Sequence, residues 1–226
     1  MTTSVPQVRT RALLLLNRKA RGGKTDVTPA LDRLRDAGFE LIEDWARHPS
    51  LVSNLIREYR DRVDVVIIGG GDGTISQAAD GLVEAGIPFG ILPLGTANDL
   101  ARTLNLPNDL LASAEVIIQG HHKRIDLGWV NGTHFFNVAS MGLTTAVTRR
   151  MSREGKSRWG ILAYLFAAVQ VVARARPFTV DINNGTETFR ARSIQVSVGN
   201  GRYYGGGMTI DENAQIDDGL LNLYSL

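Results

Sequence analysis

The sequence predicts a doubly wound parallel α/β sheet in its first half and a mostly β second half, on three observations. Continuous apolar runs alternate with stretches of helical spacing as far as Leu104, and continuous runs suit parallel strands covered on both faces. Two glycine-bearing turns, at Gly71 and Gly95, each lead from an apolar run into a helical stretch. After Gly120 the spacing gives way to strand-like segments separated by turn residues.

In chain order, Arg11 to Asn17 reads as a β run that meets a basic, glycine-bearing loop, RKARGGK. Val27 to Ala37 has helical spacing, with Gly38 placed as its stop. Phe39 to Trp45 reads as a strand, Leu51 to Tyr59 as a helix and Val63 to Ile68 as a buried strand. Helix Thr74 to Ala85, strand Phe89 to Leu94 and helix Asn98 to Leu104 follow. In the second half Ile125 to Val130, His134 to Ala139, Phe178 to Asn183, Thr188 to Val198 and Leu220 to Leu226 read as strands, interrupted by one helix, Trp159 to Arg174. The expected domains are 1–124 and 125–226. The last strand reaches Leu226 without a stop signal, so the β half reads as incomplete and the chain as a piece of something longer.

With 226 residues, 43% hydrophobic and 21% charged, the composition is that of an ordinary soluble protein with a real core. Lys and Arg (25) barely exceed Asp and Glu (23), so charge makes no case for a nucleic-acid partner. The absence of cysteine excludes disulfides, zinc thiolates and thiol nucleophiles, and suits a reducing cytosol. Leu13 to Leu16 is too short for a signal-peptide core, and Ile161 to Ala173 falls short of the ~20 apolar residues that span a bilayer. The expected location is therefore cytoplasmic, with any membrane contact peripheral, at the inner face. Arg18, Lys19, Arg21 and Lys24 are placed to steady phosphates or anionic headgroups, against the plainer reading of solvated loop charge, and Trp159, Leu162 and Phe166 are the candidates for membrane contact, against burial on the sheet. His121 and His122 read as solvated connector residues, and no zinc site is expected.

In VVIIGGGDGTISQ the glycines follow a strand and precede a helix, where backbone amides converge on a phosphate and the helix dipole favours negative charge. Gly70, Gly71 and Gly73 let backbone approach a ligand; Asp72 is placed to coordinate a nucleotide-bound magnesium ion or to orient an acceptor hydroxyl, and Thr74 to donate to phosphate. Competing signatures fail: GGKT at Gly22 to Thr25 matches a Walker A motif only in part, because Arg18 stands where Gly is required five positions before Gly23, and Gly69 and Gly71 make no dinucleotide fingerprint, because Thr74 stands where Gly or Ala is required. The bland reading is a tight turn without ligand. In ILPLGTANDLAR, Gly95 makes the bend, Thr96 offers a hydroxyl and Asn98 is placed to cap the next helix. If the sheet is parallel, both turns lie beyond the carboxyl ends of their strands, where open α/β sheets bind ligands.

GGGDGT at Gly69 to Thr74 and LPLGTANDLA at Leu92 to Ala101 resemble the diacylglycerol kinase catalytic family, most closely its bacterial YegS-like lipid kinase branch. RIDLG from Arg124, NVASMG from Asn137 and VGNGRYYGGGMTIDENAQIDDGLLNL from Val198 extend the resemblance over nearly the whole chain. It implies a nucleotide domain like that of phosphofructokinase and NAD kinase, followed by a β-sandwich domain. By position it assigns ATP binding to Gly71, Asp72, Gly73, Thr74, Ile75, Ser76, Gln77 and Thr96. Departures are Gln77, where relatives commonly carry Glu, Ala46, near a Thr often used toward ATP, and Asn17 followed by Arg18 in place of an Asn-Pro motif.

The resemblance further implies a structural Mg2+ held by Asp218 and the carbonyls of Gln215 and Leu220; from the residues alone, AQIDDGLL reads sooner as an Asp-Gly hairpin turn than as a cation site. Asp126 is placed to link that segment to the site through hydrogen bonds, or simply to cap a turn as a strand-end carboxylate. The implied reaction is transfer of the ATP γ-phosphoryl group to a hydroxyl of a diacylglycerol-like lipid such as diacylglycerol or phosphatidylglycerol, in phospholipid metabolism, with a homodimer as one expected assembly. Relatives carry a basic carboxylate in a later segment, so Asp72 is the one catalytic candidate here, and residues 1–226 alone are expected to turn over no lipid. The competing readings are an NAD kinase and a non-catalytic nucleotide or lipid sensor.

Overall fold

Ala12 to Leu16 are apolar at every position, so a strand built from them must be covered on both faces. The computed structural model describes residues 9–17, 25–44, 48–142, 175–209 and 211–226. The chain divides into two compact units, residues 1–137 with 200–220, and residues 138–199 with 221–226. The first unit runs β1 (Thr10–Leu16), α1 (Thr28–Asp36), β2 (Phe39–Asp44), a 3-10 turn (Pro49–Leu51), α2 (Val52–Glu58), β3 (Val65–Gly70), α3 (Asp72–Ala85), β4 (Phe89–Pro93), α4 (Asp99–Thr103), α5 (Leu110–Gln119), β5 (Gly128–Val130) and β6 (Thr133–Phe135). Strands β7 (Val138–Gly142), β8 (Phe178–Asn183), β9 (Thr188–Ser193) and β10 (Gln195–Gly199) belong to the second unit; β11 (Tyr203–Tyr204) and β12 (Met208–Thr209) belong to the first, and β13 (Asn222–Ser225) to the second.

Four parallel strands in the order β2-β1-β3-β4 form the central sheet. Alternate residues of β1 point to opposite faces. Leu13 and Leu15 join Val66, Ile68, Ile56, Ile75 and Leu82 on the α2/α3 side. Ala12, Leu14 and Leu16 join Ile67, Leu92, Leu31, Leu34 and Ala114 on the α1/α5 side. This is the doubly wound sheet that the continuous apolar runs predict, and each fully buried Leu or Ile contributes about 1.5–3 kcal/mol. The second unit is β-rich: β7 and β13 flank β10 antiparallel, and β8 pairs with β9.

Several boundaries differ from expectation. Between Leu104 and Gly120, where no element is predicted, α5 forms: the Asp109 carboxylate accepts from the Ala112 amide, and Gly120 ends the helix at φ 66°. Helix α3 starts at Asp72, two residues early, because extended Gly71 already caps it. The run Thr188 to Val198 breaks at Ile194, where the Ser193 hydroxyl bonds the Gln195 backbone and the chain changes partner from β8 to β7 and β13. His134 to Ala139 likewise divides into β6 and β7. The predicted helix Trp159 to Arg174, the basic loop from Arg18 to Lys24, and Ala46 lie outside the described residues. No helix among the described residues is long and apolar enough to cross a membrane.

Helices α2 and α3 meet where Gly81 faces Ser53, whose hydroxyl donates to the Gln77 carbonyl (2.8 Å) and accepts from the Gly81 amide (3.0 Å). A Cβ on Gly81 would lie 2.6 Å from the Ser53 carbonyl oxygen and 2.7 Å from its Cα. Gly→Ala inside a helix ordinarily stabilises by about 1 kcal/mol. Here overpacking against rigid backbone reverses the sign, so Gly81→Ala should lower stability by about 1–3 kcal/mol in urea denaturation.

On α3's outer face Asp80 accepts from the His134 amide and ring, each at 2.8 Å, which fastens the β5–β6 hairpin to the helix. Burial alone pushes the Asp80 carboxyl up, but the two His134 hydrogen bonds and the charges of His134 and Arg57 outweigh it and hold it below the usual range. The stability it contributes is therefore complete above the unfolded-state pKa, about 3.9, and is lost as pH falls toward the lower folded value. Asp80→Asn should flatten the acid limb of the urea midpoint against pH.

Candidate nucleotide site

The candidate site is built on backbone. Strand β3 ends at Gly70, Gly71 adopts an extended conformation, and α3 begins at Asp72 with no side-chain cap on its first turn. The Thr74 and Ile75 amides bond back to the Gly71 carbonyl, while the Asp72 and Gly73 amides have no acceptor among the described residues. Such first-turn amides carry part of the helix dipole, equivalent to roughly half a positive charge.

The second loop lies against the first. A Cβ on Gly71 would stand 2.8 Å from the Gly95 Cα, and one on Gly95 would collide with the Gly71 Cα. The Leu94 amide donates to the Gly70 carbonyl at 3.0 Å, continuing the β3–β4 ladder to this junction. Only glycine at both positions lets the two backbones meet. Gly73 faces open space.

Asp72 is held by its surroundings rather than by its own helix. Its Oδ1 accepts from the Leu100 amide (3.0 Å) and the Asn137 Nδ2 (3.2 Å), leaving Oδ2 with no partner among the described residues. Thr74 is buried, packed on the Gly70 backbone, with its Oγ1 accepting from the Asn17 Nδ2 at 3.1 Å. Ile75 is a core residue and brings only its backbone to the loop, whereas Ser76, Gln77 and Thr96 are exposed. The structure therefore collects Gly71 to Gln77 on one helical start and sets the Thr96 loop against it.

Behind Asp72 runs a chain of hydrogen bonds. The Asn200 amide donates to the Asn137 carbonyl (2.7 Å), and the Asn200 Nδ2 donates to the carbonyls of Asp126 (2.7 Å) and Phe136 (2.9 Å). The Asp126 amide donates to the Ile216 carbonyl, and its Oδ2 accepts from the Gly219 amide at 2.6 Å. Asp126 thus joins the Gln215–Leu220 segment to Asp72, the link its position suggests. In that segment Asp217 pairs with Lys123 at 3.0 Å and Asp218 Oδ1 accepts from the Leu220 amide at 2.9 Å. Among the described residues no three His, Asp or Glu side chains gather around one point. A cation here would rest on the free oxygen of Asp218 and on the carbonyls of Gln215 and Leu220, a hard oxygen donor set whose chemistry fits Mg2+.

Sequence reasoning missed Asn17, Asp99, Asn137 and Asn200. Asp99 is buried, and its Oδ2 accepts from the Gly206 amide (2.8 Å) at the tip of the β11–β12 hairpin. Asn98 does stand at the N-cap of α4, but its side chain makes no capping bond, since the residue sits in the left-handed region (φ 51°, ψ 45°). That corrects the capping expectation.

The comparisons agree with this architecture. The model of the diacylglycerol kinase catalytic domain matches residues 11–130, and that of the YegS C-terminal NAD kinase beta sandwich-like domain matches residues 137–225. The chain belongs to the diacylglycerol kinase catalytic family. It is 34% identical over 217 residues to a Klebsiella pneumoniae (strain 342) protein named "Probable lipid kinase YegS-like", covering 94% of this chain and 72% of the relative. It is 30% identical over 204 residues to a diacylglycerol kinase of Staphylococcus saprophyticus, covering 88% of this chain and 67% of that one. The crystal structure of a diacylglycerol kinase from Bacillus anthracis str. Sterne superposes with a TM-score of 0.76 at 28% identity, over 97% of this chain and 76% of that chain.

The loop geometry separates two substitutions. Gly73→Ala, in open space on a helix, should leave stability unchanged or raised, while Gly71→Ala should lower it by about 1–3 kcal/mol in urea denaturation.

Proposed function

We propose that the protein transfers the γ-phosphoryl group of ATP to a hydroxyl of a diacylglycerol-like lipid. The observation that carries this reading is the start of α3, which no side chain caps: the Asp72 and Gly73 amides, without acceptors among the described residues, lie beside a second glycine loop, with the Asp72 Oδ2, likewise without a partner there, on the same turn. Family membership and the lipid kinase names of the relatives support the lipid acceptor.

In this reading the α3 amides hold phosphate oxygens, and Gly73, which faces open space, lets the polyphosphate approach the backbone. Thr96 stands at the loop mouth as a hydroxyl donor, and exposed Ser76 and Gln77 flank the first turn. Leu100 and Asn137 fix Asp72, so that Oδ2 keeps one orientation, toward the acceptor hydroxyl or toward a nucleotide-bound Mg2+. When bound, Mg2+ supplies charge neutralisation between phosphate and carboxylate. Asp218, Gln215 and Leu220 form a second, structural Mg2+ site in the same proposal. The site lies in a cytoplasmic protein that works at the inner membrane face. The expectation that residues 1–226 are inactive by themselves finds no support in the fold or in the relatives, and nothing here depends on it.

Calorimetry with Mg·ATP should show saturable binding that Asp72→Asn weakens at least tenfold, and γ-labelled ATP should pass label to diacylglycerol or phosphatidylglycerol in mixed micelles. Label passing to NAD instead would favour the soluble-kinase reading; ATP binding with no transfer to any acceptor would favour a sensor. Absence of ATP binding by folded protein would remove the proposal altogether.

A further inference from the structure

We infer that Asn98 positions the nucleotide, its side-chain carboxamide engaging a phosphate oxygen beside the Gly71–Gly95 contact. The inference rests on the ATP reading above and adds a residue to it.

Asn98 is 3% exposed, yet its Oδ1 is buried without a hydrogen-bond partner among the described residues. A buried orphan of this kind is costly unless a ligand completes it. The backbone adds a second cost, because φ 51° and ψ 45° lie in the left-handed region where glycine fits with less strain. Neither cost is recovered by helix capping, and the adjacent Asp99 turns its Oδ2 to Gly206. Non-glycine residues held in this region cluster at ligand sites.

The location identifies the ligand. The Asn98 Oδ1 lies 2.6 Å from the point a Gly95 Cβ would occupy, the same point that the Gly71 Cα crowds. Gly71 is the N-cap of α3, so the carboxamide stands next to the amides proposed to hold phosphate. Neither GGGDGTISQ nor GTAN contains a Lys or Arg, so the donors that these two loops themselves offer to phosphate are neutral. Half a turn of the carboxamide presents its Nδ2 donors and breaks no hydrogen bond among the described residues.

Asn98→Gly separates the side chain from the backbone, because glycine keeps the left-handed conformation and removes only the carboxamide. Thermal unfolding without nucleotide should match or exceed wild type, while calorimetric affinity for Mg·ATP should fall at least tenfold and affinity for adenosine should stay within twofold. Asn98→Asp, which also tolerates this backbone, should weaken Mg·ATP beyond Asn98→Gly by adding charge next to phosphate. Mg·ATP affinity of Asn98→Gly within twofold of wild type would overturn the inference, as would equal losses for ATP and adenosine. If wild type binds no ATP, the functional reading fails first and this inference with it.

Discussion

Two glycine backbones touch where the β3–α3 and β4–α4 loops converge, and the arrangement of the site depends on that contact. Any side chain at Gly71 or Gly95 would fill the space through which the loops approach one another. The contact follows from the parallel pairing of β3 with β4, which carries both strand ends to the same edge of the sheet. Continuous apolar runs favour such pairing, because they need cover on both faces. The path from Leu-rich strands to the open start of α3 is therefore short: buried strands, parallel ends, glycine at each end and helix amides without acceptors among the described residues.

A second level of organisation fixes the carboxylate. Asp72 begins α3, where negative charge is favourable, but its orientation comes from Leu100 and Asn137, remote in sequence. Asn137 is tied through Asn200 to Asp126, and Asp126 to the turn ending at Leu220. Asparagine suits these links because its side-chain amide donates without adding charge beside an acid. The Oδ1 atoms of Asn137 and Asn200 are buried without partners among the described residues. Loosening the turn near Gly219 would thus reach Asp72 through a continuous set of bonds.

The fold was largely legible because its signals are local. Continuous apolar runs mark β1, β3 and β4, while β2 (FELIED) carries acids along its length, and Gly38 marks the end of α1 at φ 93°. Helix α5 was not read, although Asp109 and Gly120 are cap and stop signals, because its apolar content hides the helical period. The glycine loops were read directly, since each motif is one strand-to-helix turn. The asparagines were not: Asn17 reaches Thr74 across 57 residues and Asn137 reaches Asp72 across 65, and no local pattern reports such pairs. Asn98 was read as a cap from residue type alone, which carries no information on its left-handed backbone.

The central claim is that the first-turn amides of α3 receive the phosphates. Titrating 15N-labelled protein with Mg·ATP and following amide resonances tests it most directly. The Asp72 and Gly73 amides should move furthest and saturate together, with amides of the Gly95 loop following. Saturable shifts confined to other parts of the sheet, with Asp72 and Gly73 unmoved, would contradict the account.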